Sequence, residues 1–305
     1  MLKAVDTLSL RGLSLEAMPA EFGWNQPPHE AMWAGLTDLD LSNNRLFQTA
    51  EVFRALAAAL GPHLRRLDVS GNALAGEVPE SAGALTGLTK LQAADNQLTA
   101  VSEGAAEGWT KLKTLELGRN QVKALPAAAR RWSELVTVDL RSNGLLALED
   151  DSCSTWREVE VLKIGGNNLA ALPAAALGSW PKLRALYATD NKLAELPREL
   201  GACAHLEVLH AGVNTIKDLP SELFGDNGPL EVRARVRGTA AAAGCGCGGL
   251  APTNAPSCSW HVAWRGNRTS ESWNCTATRS PRCPKTSVLV SLSLSNSASA
   301  ATPSR

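Results

Sequence analysis

The chain has 305 residues, of which 44% are hydrophobic, and its 30 basic and 30 acidic side chains give a net charge of zero. This length suits one large or two small domains, and zero net charge gives no bulk attraction to nucleic acid or membrane. No run of 18 apolar residues occurs, and the first residues lack the apolar stretch of a signal peptide, so we expect a cytoplasmic protein without a membrane span.

A repeated pattern begins near the start of the chain. The segment from Leu36 to Leu46 reads L-x-x-L-x-L-x-x-N-x-L at every fixed position, and a degenerate copy from Val5 to Leu15 has Leu13 in place of Asn. From Leu64 onward the copies start 23 or 24 residues apart, which gives nine copies in all. The eight asparagines are Asn44, Asn72, Asn96, Asn120, Asn143, Asn167, Asn191 and Asn214.

Each fixed position has a physical reason. Leucines at the fourth and sixth positions alternate with polar residues, which predicts a short strand with one buried face. Such a strand cannot close a core alone, so consecutive copies must stack. The asparagine follows the strand, where backbone groups would otherwise be buried unpaired, and its amide can donate and accept hydrogen bonds at once.

The segments between strands should form the other side of the stack. The spacing from Leu36 to Leu64 is 28 residues, and the extra segment Thr49–Leu60 has the composition and apolar spacing of a true helix. Later copies should have looser turns or single helical turns. Leu-Pro pairs such as Leu125-Pro126 recur there, because proline fixes φ and blocks helix continuation.

A tryptophan stands three residues before the repeat start in five copies, and Leu85 and Cys203 occupy the same position in two others. This column is either an aromatic binding stripe or core filling on the convex side. We favour core filling because Leu and Cys substitute there, and we interpret Cys153 and Cys203 as buried and unreactive. The tryptophans are Trp33, Trp109, Trp132, Trp156 and Trp180.

These repeats resemble the leucine-rich repeat superfamily. The segment from Leu193 to Leu206 is similar to the L-x-x-L-P-x-x-L-G-x-x-x-x-L repeat of its intracellular Ras-group-related class, and Leu74 to Pro79 is similar to the L-x-G-x-I-P variant common in plants. The resemblance implies an α/β solenoid, a horseshoe with a parallel concave β-sheet and an irregular or short-helical convex side. It also implies a scaffold that binds protein ligands on the concave sheet.

The concave face carries the non-leucine strand positions, and its character changes along the stack. The first half is rich in acids, which are either solvated strand positions or contacts for a basic segment. The last three strands are more apolar, and we expect a partner protein to dock there. The candidate contact residues are Asp40, Asp68, Gln92, Glu116, Asp139, Val161, Lys163, Ala185, Tyr187, Val208 and His210.

No motif for catalysis, metal or a cofactor is recognisable, and Gly244–Gly249 lacks the strand and helix of a dinucleotide site. We therefore expect a non-enzymatic interaction scaffold, with intracellular signalling as one setting, that binds protein and neither nucleic acid nor membrane. Two alternatives stay open. The chain could be the ligand-sensing portion of a larger receptor or enzyme whose effector domain is missing, or a purely structural component.

The repeats should end near Val232, because Arg233 and Arg235 fall where core leucines belong. Residues 1–232 are thus predicted to form the repeat domain, and residues 233–305 a Gly/Ala/Ser/Cys-rich tail of disordered composition. From Gly238 onward, six basic residues against one acidic residue give +5, which leaves −5 for the rest. A zinc site, tryptophan anchors and a shifted reading frame are alternative interpretations of this tail.

Overall fold

A computed structural model of the chain describes residues 6–18, 33, 35–218 and 220–224, together with the backbone at 261–264 and 275–278. The predicted boundary at Val232 and most of the tail lie outside the described residues. Within the tail, His261–Trp264 and Cys275–Thr278 form an antiparallel pair of strands, β12 and β13. None of the described helices combines the length and apolar character that crossing a bilayer requires.

Nine short strands form one parallel sheet, as the alternating leucines predict. Their order in the sheet is their order along the chain, so each repeat pairs with the next. The strands are β1 (Thr7–Ser9), β2 (Asp38–Asp40), β3 (Arg66–Asp68), β5 (Lys90–Gln92), β7 (Thr114–Glu116), β8 (Thr137–Asp139), β9 (Val161–Lys163), β10 (Ala185–Tyr187) and β11 (Val208–His210).

The register places equivalent repeat positions beside each other throughout the sheet. Leu39 pairs with Leu67, and Leu186 pairs with Leu209, so the core leucines form continuous columns. In the eight copies from Leu36 onward the residues of these columns are at most 2% exposed. Because a fully buried leucine contributes roughly 1.5–3 kcal/mol, stacking of repeats supplies most of the stability that single repeats lack.

The convex side has one long helix, Thr49–Leu60, which confirms the prediction from the longer spacing between Leu36 and Leu64. The later copies have short helical segments, as expected for their shorter connections. Pro79, Pro126, Pro173 and Pro197 each directly precede such a segment, so the Leu-Pro pairs mark where the convex helices begin. The segments are Glu80–Ala84, Glu103–Gly108, Ala127–Arg131, Asp150–Cys153, Ala174–Leu177, Arg198–Ala202 and Ser221–Phe224.

A second, smaller sheet was not predicted. Strand β4 (Ala75–Val78) lies in the copy that resembles the L-x-G-x-I-P variant, and it pairs in parallel with β6 (Gln97–Val101) of the next repeat. The register shifts between Gly76 and Glu77, and Gly76 has a φ of 78°. Glycine adopts this backbone without the steric cost that other residues meet, which explains its presence in the variant motif.

The asparagine side chains connect each repeat to the one before it. The Nδ2 group of Asn72 donates to the backbone oxygens of Leu41 and Val69 at 3.0 and 2.9 Å, and its Oδ1 accepts from the backbone N–H of Leu46 at 3.0 Å. Leu41 and Leu46 belong to the preceding repeat. All eight asparagines make this set of three bonds, as the sequence predicts from the two-sided hydrogen bonding of an amide.

The tryptophan column is core, and so the binding-stripe interpretation is wrong. The five tryptophans are at most 3% exposed, and Trp109, Trp132, Trp156 and Trp180 stack with ring centroids 6.0–6.4 Å apart. Each of these four indole N–H groups donates to a backbone oxygen of the preceding repeat at 2.9 or 3.0 Å. The column therefore ties neighbouring convex segments together by packing and by hydrogen bonds.

Cys203 replaces tryptophan in this column and keeps its contact, since its Sγ lies 3.5 Å from the backbone oxygen of Leu177. Burial raises the pKa of Cys203 to about 11. Burial, together with Asp150 and Glu149, raises the pKa of Cys153 to about 12. Both cysteines are buried, as predicted, and a raised pKa leaves even less of the thiolate that reacts.

The asparagine bonds predict that the same substitution has very different effects on stability at two adjacent residues, Asn167 and Asn168. Asn167→Asp removes the donors to Leu140 and Ile164 and buries a carboxylate against their backbone oxygens. It should lower the free energy of unfolding by about 3 kcal/mol or more. The matched control is Asn168→Asp, because the Asn168 side chain makes no hydrogen bond within the described part of the chain, and a change within about 0.5 kcal/mol is expected. Urea unfolding followed by circular dichroism measures both, and equal losses would contradict the prediction.

Candidate functional site

The concave face presents two columns of outward side chains in strict register. The first column lies between the two core positions of each strand, and the second lies two residues earlier. The structure therefore brings the predicted contact residues onto one face. The first column from β2 to β11 contains Asp40, Asp68, Gln92, Glu116, Asp139, Lys163, Tyr187 and His210, and the second ends in Val161, Ala185 and Val208.

The acids on the first strands bind the chain's own backbone. The carboxylate of Asp40 accepts the Ser42 N–H at 2.9 Å and the Ser9 hydroxyl at 3.1 Å. Asp68 likewise accepts the Ser70 N–H at 2.8 Å. These bonds fix the turns that follow β2 and β3, because the i+2 amide has no strand partner there. Asp40 and Asp68 thus have a local structural role, whether or not a ligand also reaches them.

A shallow depression of about 230 Å³ lies over the first four strands of the sheet. Its walls are charged with both signs, and the guanidinium of Arg66 lies 3.1 Å from the carboxylate of Asp38. This internal pairing reduces the acidic character that the sequence indicated for this half. The lining residues are Thr7, Leu8, Asp38, Leu39, Asp40, Arg66, Leu67, Asp68, Lys90 and Gln92.

The middle of the face holds a compact charge cluster. Asp139 is 6% exposed and accepts two parallel bonds from Arg141, Nε to Oδ1 at 2.9 Å and Nη2 to Oδ2 at 2.7 Å. The Lys163 amine lies 3.6 Å from the same carboxylate, and Glu116 accepts from the Gln92 amide at 3.0 Å. The hydrogen bond to Asp139 raises the pKa of Arg141. The acidic row is therefore neither uniformly solvated nor uniformly available to a basic partner.

The last three strands offer a different surface. Val161 and Val208 are half-buried, whereas Ala185 is 8% exposed and forms the floor between them. The rings of Tyr187 and His210 meet edge to face, with centroids 5.0 Å apart. This geometry is favourable for aromatic pairs and fixes both rings across the β10–β11 boundary. The predicted apolar end is thus a contiguous patch, which we call the β9–β11 patch (Val161, Ala185, Tyr187, Val208 and His210).

Comparisons with known proteins agree with this architecture. The family described as Leucine rich repeat matches residues 133–193, and a second family, Leucine Rich Repeat, matches residues 63–85. The described body is a leucine-rich repeat solenoid. This confirms the expected horseshoe with a parallel concave sheet and a short-helical convex side.

A curated relative has similar leucine-rich repeats. Podocan-like protein 1 from Homo sapiens is 31% identical over 157 residues, which cover 46% of this chain and 29% of that protein. The chain thus spans less than a third of the length of this relative.

Two solved structures share the leucine-rich repeat fold. A leucine-rich repeat protein of Leptospira interrogans superposes with a TM-score of 0.58 at 21% identity, covering 77% of this chain and 68% of that one. The ectodomain of the Arabidopsis thaliana membrane receptor kinase GASSHO1/SCHENGEN3, in complex with CASPARIAN STRIP INTEGRITY FACTOR 2, gives 0.62 at 23% identity and covers 77% and 28%. At these identities the likeness concerns the fold alone.

Sequence reasoning missed Arg141, whose guanidinium binds the concave-face carboxylate of Asp139. It lies in the turn after β8, outside the strand positions from which candidates were taken. An i, i+2 acid–arginine pair is a signal that could have identified it. Because the guanidinium binds Asp139 in parallel fashion, it also explains why that carboxylate tolerates burial.

The hydrogen bonds of Asp40 predict a pH-dependent contribution to stability. Partial burial alone raises the pKa of Asp40, but hydrogen bonds from Ser42 and Ser9 and the charge of Arg11 outweigh it, so the pKa lies below its usual value. The ionised carboxylate therefore stabilises the fold above the unfolded pKa of about 3.9, and this contribution is lost as the pH falls through the folded pKa.

Asp40→Asn should consequently lower the midpoint of thermal unfolding at about pH 6 and have a smaller effect at about pH 2.5. The difference should stay below about 1 kcal/mol, because this carboxylate is partly exposed to screening solvent. Thermal unfolding of both proteins, followed by circular dichroism at the two pH values, measures it. A destabilisation of equal size at both would show that the charge of Asp40 is not the cause.

Proposed function

We propose that the chain is a non-enzymatic interaction scaffold that holds a partner protein on the β9–β11 patch. Leucine-rich repeat folds generally mediate protein–protein interaction, and this body has the open concave sheet that such binding uses. The observation that carries the placement is the exposure pattern of the patch. Its outward positions are Val161 and Val208 beside an aromatic pair, where the rest of the face has charged, hydroxyl or amide side chains.

The chemistry of the patch fits a protein surface. Interfaces combine an apolar, aromatic centre with a polar rim, and tyrosine is enriched among the residues that dominate binding energy. Here the charged Asp139–Arg141–Lys163 cluster borders the patch on one side, and the exposed ion pair between Arg184 and Glu207 borders it at the strand entrances. A docked segment could cover the apolar centre without burying an unpaired charge.

Several acids of the concave face form ion pairs within the chain, so its first half is less available to a basic partner than the sequence predicted. Asp38 pairs with Arg66, and Asp139 pairs with Arg141 and Lys163, so a basic partner segment would have to compete with these internal contacts. Asp40 and Asp68 are half-buried on the concave side, and we propose that they provide secondary contacts. The main binding energy is assigned to the β9–β11 patch.

A second candidate is the ligand-sensing portion of a longer receptor. Two observations favour it. The chain spans 29% of its human relative and 28% of a receptor-kinase ectodomain of the same fold, and that ectodomain was solved with a bound factor.

The cytoplasmic location and the Ras-group-related class also remain proposals, supported by the similarity of Leu193–Leu206 to intracellular repeats. Antibody staining of intact and of permeabilised cells distinguishes a receptor portion on the cell surface from a cytoplasmic protein.

Paired substitutions test the proposed docking surface. Tyr187→Ala with Val208→Asp removes the aromatic pair and places a charge in the patch, and it should abolish capture of the partner from cell extract. The matched control is Thr114→Ala with Thr137→Asp, which truncates one outward side chain and adds one charge on the neighbouring strands β7 and β8, at positions outside the candidate contact residues, and should leave capture intact. Circular dichroism checks that both variants are folded. Undiminished capture by the Tyr187 and Val208 variant would exclude this placement.

A further inference from the structure

Asn143 differs from the other seven asparagines that bond consecutive repeats, a set of eight that we call the asparagine ladder. It alone among them is followed by glycine, Gly144. A glycine in this place leaves the asparagine side chain open to attack by the next backbone nitrogen, because no Cβ hinders that close approach. The residues that follow the other seven are Arg45, Ala73, Gln97, Gln121, Asn168, Lys192 and Thr215.

The fold does not require glycine at position 144. The φ of Gly144 lies outside the left-handed region that favours glycine. A Cβ at this position would lie 3.7 Å from the Lys123 Cγ and 3.8 Å from the Val122 oxygen, and both are ordinary van der Waals distances. Side chains as large as arginine and lysine occupy the equivalent position of other copies. The consequence of this glycine is therefore chemical, and it concerns Asn143.

We propose that Asn143 is a site of spontaneous deamidation. The backbone nitrogen of Gly144 attacks the side-chain carbonyl carbon of Asn143, the bond from that carbon to Nδ2 breaks, and the proton of the attacking N–H leaves with Nδ2 as ammonia. The product is a cyclic imide, which water then opens to aspartate or isoaspartate. The net reaction consumes a water molecule, releases ammonia and replaces the amide by a carboxylate.

Both reacting groups are held by Val122 of the preceding repeat. The Val122 N–H donates to the Asn143 Oδ1 at 2.9 Å, and the Val122 oxygen accepts the Gly144 N–H at 3.0 Å. The nitrogen therefore reaches the side-chain carbon only when this contact between the repeats opens. Opening costs less at Asn143, which is half-buried, than at the five ladder asparagines that are at most 9% exposed.

Deamidation makes a transient opening between two repeats permanent. The Asn143 Nδ2 donates to the backbone oxygens of Leu117 and Leu140 at 2.9 and 3.1 Å. The carboxylate that replaces the amide has no donor for these oxygens and brings a negative charge beside them. The chain thus has a chemical limit on its lifetime at the contact between the repeats of β7 and β8.

Parallel incubation of the full chain in buffer and in guanidinium chloride at one neutral pH tests the proposal. Mass spectrometry of peptides measures conversion at each ladder asparagine and separates Asn143 from Asn227, which also precedes glycine. In denaturant Asn143 should convert severalfold faster than Asn120, which precedes glutamine. In buffer its conversion should be about tenfold to a hundredfold slower than in denaturant, because it waits for local opening. The converted protein, separated by ion exchange, should unfold at a midpoint about 4–8 °C lower.

Gly144→Gln is the matched variant, because glutamine follows Asn96 and Asn120. It should suppress conversion at Asn143 under both conditions and keep the midpoint of unfolding within about 2 °C of the wild type. Its incubation in denaturant tests the role of glycine even if the variant does not fold. The proposal is overturned by wild-type conversion in this variant, by equal wild-type rates in buffer and denaturant, or by no conversion in buffer within the time that an about hundredfold slower reaction needs. An unchanged midpoint of the converted protein would overturn the claim that deamidation removes a bond between repeats.

Discussion

Each concave strand is fixed to the strand before it by one asparagine amide that bonds to both repeats. In Asn72 the amide nitrogen donates to one backbone oxygen of its own repeat and one of the preceding repeat, while the amide oxygen accepts an N–H of the preceding repeat. No other uncharged side chain of this size supplies two donors and an acceptor at these angles. The ladder closes the turns where strand pairing stops, and the position of every concave side chain depends on it.

The convex side is joined differently. There the tryptophan column packs ring on ring, and each indole of the central four donates to the preceding convex segment. Cys203 shows that the position requires a buried side chain more than an aromatic one, since its sulfur reaches an equivalent backbone oxygen. The two ladders, amide and indole, run along opposite sides of one leucine core. Together they keep the concave columns in register, and that register creates the β9–β11 patch.

Much of this arrangement could be predicted from the sequence because it repeats. Eight copies of one motif determine the strands, the columns of the concave face and the role of the asparagines, and the longer spacing before Leu64 determines the helix Thr49–Leu60. The burial of the tryptophans was also predicted, from substitution by Leu85 and Cys203 at the same position.

Features that belong to a single repeat could not be predicted in the same way. The β4–β6 pair arises from one variant motif and a backbone shift at Gly76. The binding of Asp139 by Arg141 needs a turn residue whose direction the repeat pattern does not define. From the residue columns alone, the first half of the concave face was predicted to be more acidic than it is. The columns do not show the ion pairs that neutralise some of its acids.

Hydrogen exchange at single amides, followed by nuclear magnetic resonance, tests the asparagine ladder most directly. The backbone N–H groups of Leu98, Leu145 and Leu169 donate to asparagine side chains of the next repeat. The Ala170 N–H directly follows Leu169 and has no acceptor among the described residues. The account predicts that the three leucine amides exchange at least about a hundredfold more slowly than the Ala170 amide. Equal exchange rates would contradict the claim that the asparagines hold consecutive repeats together.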